Sequence, residues 1–205
     1  MTLKKKFTRG IFSDVIKIEI KPLDVKAMEA ARKRQNELLK PQGSLGTLEE
    51  ISIQISGITG KVKNKISKKI HFLFGSDHGI FDEGVSSSPQ YFTKVLMKIY
   101  AGGEGGAINE LCRNCGVELK IFDLGVKNLS NCKNIDSSHK LMPDGTKNFL
   151  HERAMSVETA EKIINFGLDL VREYKNQDFN IIGAGEVGMA NRSEERRVGK
   201  ECRSR

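Results

Sequence analysis

The chain has 205 residues, enough for one sizeable domain, of which 38% are apolar and 29% charged. With a mean hydropathy of −0.39 it contains no window near the 18 uninterrupted apolar residues of a membrane-spanning helix, which excludes a helical membrane protein. The formal net charge of +8 comes from 34 Lys and Arg against 26 Asp and Glu; a balance of that size attracts phosphates or polyanions, but no nucleic-acid-binding motif accompanies it, and mixed charge on helix surfaces is the simpler reading.

Met1 to Arg9 is basic but meets Asp14 and Lys17 without an apolar stretch, so no secretory signal is read there and a cytoplasmic protein is expected. Residues 1–24 form an N-terminal extension. A helix is expected over Val25 to Leu39. Thr47 and Glu50 have capping-box spacing, and Leu48, Ile51, Ile55 and Ile58 follow on one helical face. The apolar run Ile70 to Phe74 then reads as a buried strand ending at Gly75-Ser-Asp-His-Gly79. Ser88 and Pro89 have the character of an N-cap and first-turn proline, with Phe92, Val95, Leu96, Ile99 and Tyr100 behind them. The glycines from Gly102 to Gly106 break that helix, through either a hinge or close packing, with close packing preferred, and another helical pattern begins near Gly106.

Leu119 to Leu124 is a second strand, and the polar stretch from Lys127 to Lys147 is a long loop without a periodic signal. Ser156 opens the clearest helix, with Ala160, Ile163, Ile164, Gly167, Leu168 and Val171 on its apolar face. Phe179 to Ile182 is the third strand. Strands alternating with helices imply right-handed crossovers and an α/β fold, a parallel sheet with flanking helices. Ten Phe, three Tyr and no Trp suggest an aliphatic rather than aromatic core. Cys112, Cys115, Cys132 and Cys202 are expected to be free thiols; Cys112-Arg-Asn-Cys115 has half-site spacing, but nothing completes it, and buried small residues are the better reading.

In an open parallel sheet, ligands bind beyond the carboxyl ends of the strands. Gly183-Ala-Gly185-Glu186-Val-Gly188 satisfies G-x-G-x-x-G after a strand; such glycines turn sharply and aim amide N–H groups at a phosphate, or make a tight turn that merely packs. A dinucleotide fold has this loop at its first strand, whereas two strands precede it here, and its ribose-binding acid would fall roughly 20 residues further on. A carboxylate repels phosphate, so Glu186 suits a ribose hydroxyl or a heterocyclic N–H. Asp77, His78, Asp82 and Glu83 invite a metal reading, although a turn rich in capping residues accounts for them. His71 and His151 read as structural. From the residues alone, the chain is a nucleotide or phosphate binder on a parallel α/β fold.

Seven stretches carry a resemblance. They are Lys40-Pro-Gln-Gly-Ser-Leu-Gly-Thr-Leu-Glu49; Asp77-His-Gly79 with Glu83-Gly-Val85 and Ser88-Pro-Gln90; Gly102-Gly103 with Ala107-Ile-Asn109; Asp123-Leu-Gly-Val126; Gly145-Thr-Lys-Asn-Phe149; Ala154-Met155; and Gly185-Glu-Val-Gly-Met-Ala-Asn191. In order and spacing the segment 25–191 resembles the nicotinate-nucleotide–dimethylbenzimidazole phosphoribosyltransferase family of cobalamin biosynthesis.

The resemblance implies a Rossmann-like sheet, a homodimer, and transfer of the phosphoribosyl group of nicotinate mononucleotide to 5,6-dimethylbenzimidazole, giving α-ribazole 5′-phosphate and nicotinate. It implies no cofactor, no metal, no nucleic-acid partner and no membrane partner. By similarity Gly188, Met189, Ala190 and Asn191 line the phosphate and ribose site, and Ser88, Glu186 and Val187 lie near the benzimidazole. Family chains continue past the asparagine with Thr-Thr and a longer segment holding the glutamate regarded as the general base. Here Arg192-Ser-Glu-Glu-Arg-Arg197 follows, and residues 192–205 resemble nothing in the family. The chain is therefore expected to be a truncated, inactive form with no catalytic residue of its own, with a non-catalytic azole- or nucleotide-binding fragment as the alternative.

Overall fold

The computed structural model describes residues 20–103 and 105–191, so most of the N-terminal extension and the whole 192–205 tail lie outside the described residues. The chain divides into two compact units between Ile66 and Ser67.

The first unit holds two helices, α1 (Val25–Glu37) and α2 (Thr47–Thr59). Asp24 caps α1, its Oδ1 accepting the Ala27 amide at 3.0 Å. The cap expected of Thr47 does not form: α2 already includes Thr47, and Gly46 stands at its N-cap without a side-chain bond. The packed face of α2 is also not the expected one. Ile53, Ser56 and Gly57 are buried, whereas Leu48, Ile51 and Ile58 are exposed. Small residues decide this, because the Met28 side chain of α1 lies where a Cβ on Gly57 would sit, 2.7 Å from its Cγ and Sδ. In the turn between the helices, Lys40 Nζ lies 2.6 Å from Glu49 Oε1, and the Leu45 amide donates to the same oxygen. These bonds hold the Glu49 carboxyl below its ordinary range, Lys40 contributing most.

The second unit is a four-stranded, all-parallel sheet in the order β3-β2-β1-β4: β1 is Lys68–Ser76, β2 Glu118–Gly125, β3 Ile135–Asp136 and β4 Phe179–Val187. The three expected strands are present and longer than their apolar cores. β3 is a two-residue addition inside the expected loop. A short 3-10 turn, Gly79–Glu83, follows β1. Helices α3 (Phe92–Gly102) and α4 (Ala107–Cys115) carry the chain from β1 to β2, and α5 (Val157–Asn176) carries it back to β4. Gly106 is packed against Tyr100, whose ring a Cβ there would meet at 2.5 Å, so close packing explains the glycine-rich break.

The two sheet faces have separate cores. Ile70, Phe72, Phe122 and Leu124 pack with Phe166 and Leu170 of α5, joined by Phe74 and Tyr174. This cluster is aromatic, contrary to the composition-based expectation, with Phe72, Phe74, Phe122 and Phe166 at centroid separations of 5.4 to 6.5 Å. Ser156 caps α5 as expected, its Oγ accepting the Thr159 amide at 3.1 Å. The buried stripe of α5, however, runs through Phe166 and Leu170 while Ile164 and Val171 are exposed, about a quarter turn from the expected face at roughly 100° per residue. On the other face Leu73, Met97, Ala101, Ile121, Val126 and Leu129 form a second cluster with Val187 at its margin.

Among the described residues no helix is long and apolar enough to cross a membrane. Cys112 is buried, Cys115 exposed and Cys132 half-buried, all as free thiols. Burial is the larger cause of the raised Cys112 pKa, with Cys115 adding to it.

Candidate functional site

The chain leaves β1 toward β2 on one side, and β4 returns on its other side, so the sheet order reverses at β1. Crevices at the carboxyl ends of strands flanking such a reversal are where open α/β sheets bind ligands. Ser76-Asp77-His78 of the β1 end and Gly188-Met-Ala-Asn191 of the β4 end meet at this point.

The glycine motif is divided differently from the sequence expectation. Gly183, Gly185 and Glu186 are not in a loop. They lie within β4, aligned with His71, Leu73 and Phe74 of β1. The first two glycines exist to seat an imidazole: a Cβ at Gly183 would stand 2.6 Å from His71 Nδ1, and one at Gly185 2.7 Å from Nε2. Burial there lowers the His71 pKa. Only Gly188 lies beyond the strand. It is buried, and a Cβ on it would overlap the Ser76 carbonyl oxygen and lie 2.9 Å from His78 Nε2. A side chain there would force the Ser76 backbone or the His78 ring to shift.

The following segment is also constrained. The Met189 amide donates to Thr93 Oγ1 at 3.1 Å, and Ala190 adopts φ +65°, the left-handed region that a residue with a Cβ rarely enters. Sparsely populated backbone of this kind concentrates at ligand clamps. Glu186 is exposed at the penultimate position of β4, and Val187 is half-buried beside it.

Ser88 does not act as a helix cap. α3 begins at Phe92, and the Ser88 amide and carbonyl instead bond the Ser86 hydroxyl. Among the described residues no hydrogen bond joins Ser88 to Gly188–Asn191. Its loop is nonetheless anchored to the β1 end, since Gln90 Nε2 donates to the His78 carbonyl at 3.2 Å.

Sequence reasoning takes Asp77, His78 and Glu83 as a capping turn and gives no role to the frame that they build around this crevice. Asp77 is 2% exposed; its Oδ2 accepts the Lys127 amide at 2.8 Å, and its Oδ1 has no partner among the described residues. Its backbone is clamped from both sides, the amide donating to the Gly125 carbonyl and the carbonyl accepting from Thr146. His78 has its pKa lowered by burial, partly offset by the neighbouring Asp77 charge, which favours a neutral ring. Next to it, a segment from the long loop docks on the 3-10 turn. A Cβ on Gly79 would lie 2.5 Å from the Asn148 amide nitrogen, and Glu83 Oε1 takes Asn148 Nδ2 at 2.6 Å and His151 Nε2 at 2.9 Å. The acids suggestive of a metal are thus dispersed: Asp77 is inward and Glu83 is turned to His151. No three His, Cys, Asp or Glu side chains are grouped to hold an ion among the described residues.

At the neighbouring end of β2, Asp123 is fully buried. Its Oδ1 accepts the Gly125 and Val126 amides at 3.0 and 2.7 Å, and its Oδ2 lies 3.1 Å from Lys140 Nζ and 3.4 Å from Ser137 Oγ. Lys140 also donates to the Val126 carbonyl at 2.6 Å, which folds the loop back over the strand end.

Comparison with known proteins identifies the family to which this fold belongs. The Phosphoribosyltransferase family model matches residues 20–195. A nicotinate-nucleotide–dimethylbenzimidazole phosphoribosyltransferase of Clostridium tetani is 42% identical over 172 residues, which is 84% of this chain and 47% of that protein. The protein of the same name from Parabacteroides distasonis is 39% identical over 81% of this chain and 48% of its own length. The crystal structure of CobT from Thermus thermophilus superposes with a TM-score of 0.75 at 29% identity, covering 81% of this chain and 49% of that one. The chain spans about half the length of the curated relatives it matches. With a family match across most of its residues and the same parallel sheet, the chain belongs to the phosphoribosyltransferase family that includes the nicotinate-nucleotide–dimethylbenzimidazole phosphoribosyltransferases.

Proposed function

We propose that this chain is the nucleotide-receiving part of an enzyme that moves the phosphoribosyl group of nicotinate mononucleotide to 5,6-dimethylbenzimidazole. The observation that carries the reading is the β4 end, where Gly188 fits against the Ser76 carbonyl and the next residues are held in a strained turn. Backbone that approaches a ligand without a Cβ and turns its amides outward is suited to a phosphoryl group. Gly188 to Asn191 are accordingly assigned to phosphate and ribose, and Ser88, Glu186 and Val187 to the azole.

In the reaction, one azole nitrogen attacks the anomeric carbon as the bond to nicotinate breaks. The bonding pair leaves with the pyridine nitrogen and neutralises its positive charge. Nicotinate departs on the face opposite the incoming ring, so the anomeric centre inverts. The other azole nitrogen must lose its proton, and a carboxylate such as Glu186 facing that N–H orients the ring for attack. The resemblance assigns proton removal itself to a glutamate in a family segment that residues 25–191 do not cover. Residues 25–191 are the family portion in this reading and the 192–205 tail departs from it, the family match ending inside that tail at residue 195. The working assembly is a cytoplasmic homodimer that needs neither cofactor nor metal and contacts neither nucleic acid nor membrane.

Isothermal titration of the chain with nicotinate mononucleotide and with nicotinate riboside tests the phosphate assignment. Hydrogen bonds to a charged group are worth about 1.5–3 kcal/mol, so the nucleotide is expected to bind at least about tenfold more tightly. Equal affinity for the two would overturn it.

A further inference from the structure

Thr93 lies in the first turn of α3, is 0% exposed, and is 96 residues away in sequence from the segment after β4. A buried hydroxyl needs a partner, and Thr93 Oγ1 finds the Met189 amide at 3.1 Å. That amide follows the last residue of β4, Val187, by two positions, so the hydroxyl supplies an acceptor just where strand pairing ends.

The residues on either side depend on where Met189 is held. Gly188 is fixed sterically against Ser76 and His78, and Ala190 must remain left-handed. An alanine in that region relaxes unless its surroundings over-determine it. Gly188 restrains the segment from one side only. Among the described residues, the Thr93 bond is the hydrogen bond that holds the other side.

We propose that Thr93 is a positioning residue: its hydroxyl captures the Met189 amide, holds Ala190 left-handed, and thereby aims the amides of Ala190 and Asn191 at the phosphoryl group of nicotinate mononucleotide. This rests on the assignment of Gly188–Asn191 as the phosphate site. It adds a division of labour within that segment, because the Met189 amide is committed to Thr93 and is not offered to the ligand. Thr93 is fully buried and acts through the Met189 backbone. The methyl group of a valine in its place keeps the buried shape and removes the acceptor.

Amide hydrogen exchange resolved by NMR on the full chain reads the first half without any ligand. In the unsubstituted chain the Met189 amide is expected to be protected although it lies outside the strand; free exchange there would overturn the proposal with no variant made. In Thr93→Val, exchange at Met189 and Ala190 is expected to rise about tenfold, the scale of one lost hydrogen bond, with the β1 and β2 amides unchanged. Thr93→Ser, which retains the oxygen, should restore protection. If valine unfolds the chain, Thr93→Ala provides the same comparison.

Titration with nicotinate mononucleotide reads the second half. The dissociation constant is expected to rise about five- to tenfold in Thr93→Val and less than about twofold in Thr93→Ser. Faster exchange with unchanged affinity would reduce Thr93 to a structural role and overturn the positioning claim. Protection that depends on Thr93 in a chain that binds no nucleotide would overturn the phosphate-site reading instead, while leaving the loop-fixing half supported.

Discussion

Two neighbouring strand ends in the same sheet are finished in opposite ways. At the end of β2, Asp123 spends both oxygens on protein: two backbone amides, a hydroxyl and the Lys140 ammonium close the strand under its own loop. At the end of β1, Asp77 is just as deeply buried but leaves Oδ1 without a partner among the described residues, and the adjoining β4 end has a glycine in direct contact with a carbonyl and an alanine in left-handed backbone. The closed end contributes stability. The strained, incompletely paired end at the order reversal is the one we assign to the nucleotide. Similar residues, a buried aspartate at the end of a parallel strand, therefore serve different purposes according to what the following loop does with them.

Removing Asp123 should have the largest effect on this contrast. Asp123→Ala leaves Lys140 without its ionic partner and two amides uncapped, and breaking a buried ion pair costs about 3–5 kcal/mol; because Lys140 is partly exposed and keeps the Val126 carbonyl, a loss of about 3 kcal/mol in urea unfolding is expected. Nucleotide affinity of the remaining folded protein should hold. Gly188→Ala comes next. Its Cβ meets the Ser76 backbone, which cannot yield as a flexible side chain would, so about 2 kcal/mol of overpacking is expected together with loss of nucleotide binding in titration. Full stability with full binding would show that the β4 end is not tightly fitted.

Asp77→Asn should be milder than Asp123→Ala, at about 1 kcal/mol or less, because the amide oxygen can still accept from Lys127. Equal losses at the two aspartates would erase the distinction between a closed and an open end. The smallest effect is one of pH. His71 and His78 both have pKa values lowered by burial from an ordinary 6.5, so the unfolded chain takes up their protons before the folded chain does. Stability is thus fully present above pH 6.5 and falls as pH drops through that value toward the lower folded-state values. Urea midpoints measured at pH 7.5 and 5.5 should show this, and His71→Gln should flatten the slope.

The sheet was legible because buried parallel strands are apolar runs, and Ile70–Phe74 and Leu119–Leu124 mark the centres of β1 and β2. β3 was not legible: Ile135 and Asp136 are a strand only because Ile121 and Phe122 lie beside them. Helix positions were readable, but helix faces were not. Gly57 and Ser56 win the packed side of α2 by allowing Met28 to approach, a matter of shape that hydrophobic spacing does not encode. The G-x-G-x-x-G spacing marks the end of β4, but two of its glycines lie inside the strand and not in a loop. Only the position of His71 on the next strand shows that Gly183 and Gly185 are a seat for its ring rather than a phosphate loop. Thr93 escaped notice because its partner lies 96 residues further along the chain.

The most direct test of the open strand end is an NMR titration of the 15N-labelled chain with nicotinate mononucleotide. The largest amide shifts are expected at Gly188, Ala190 and Asn191, with smaller ones at His78, and with Asp123 and its loop unmoved. Shifts centred elsewhere, or none at nucleotide concentrations in the millimolar range, about 4 kcal/mol of binding, would contradict the account.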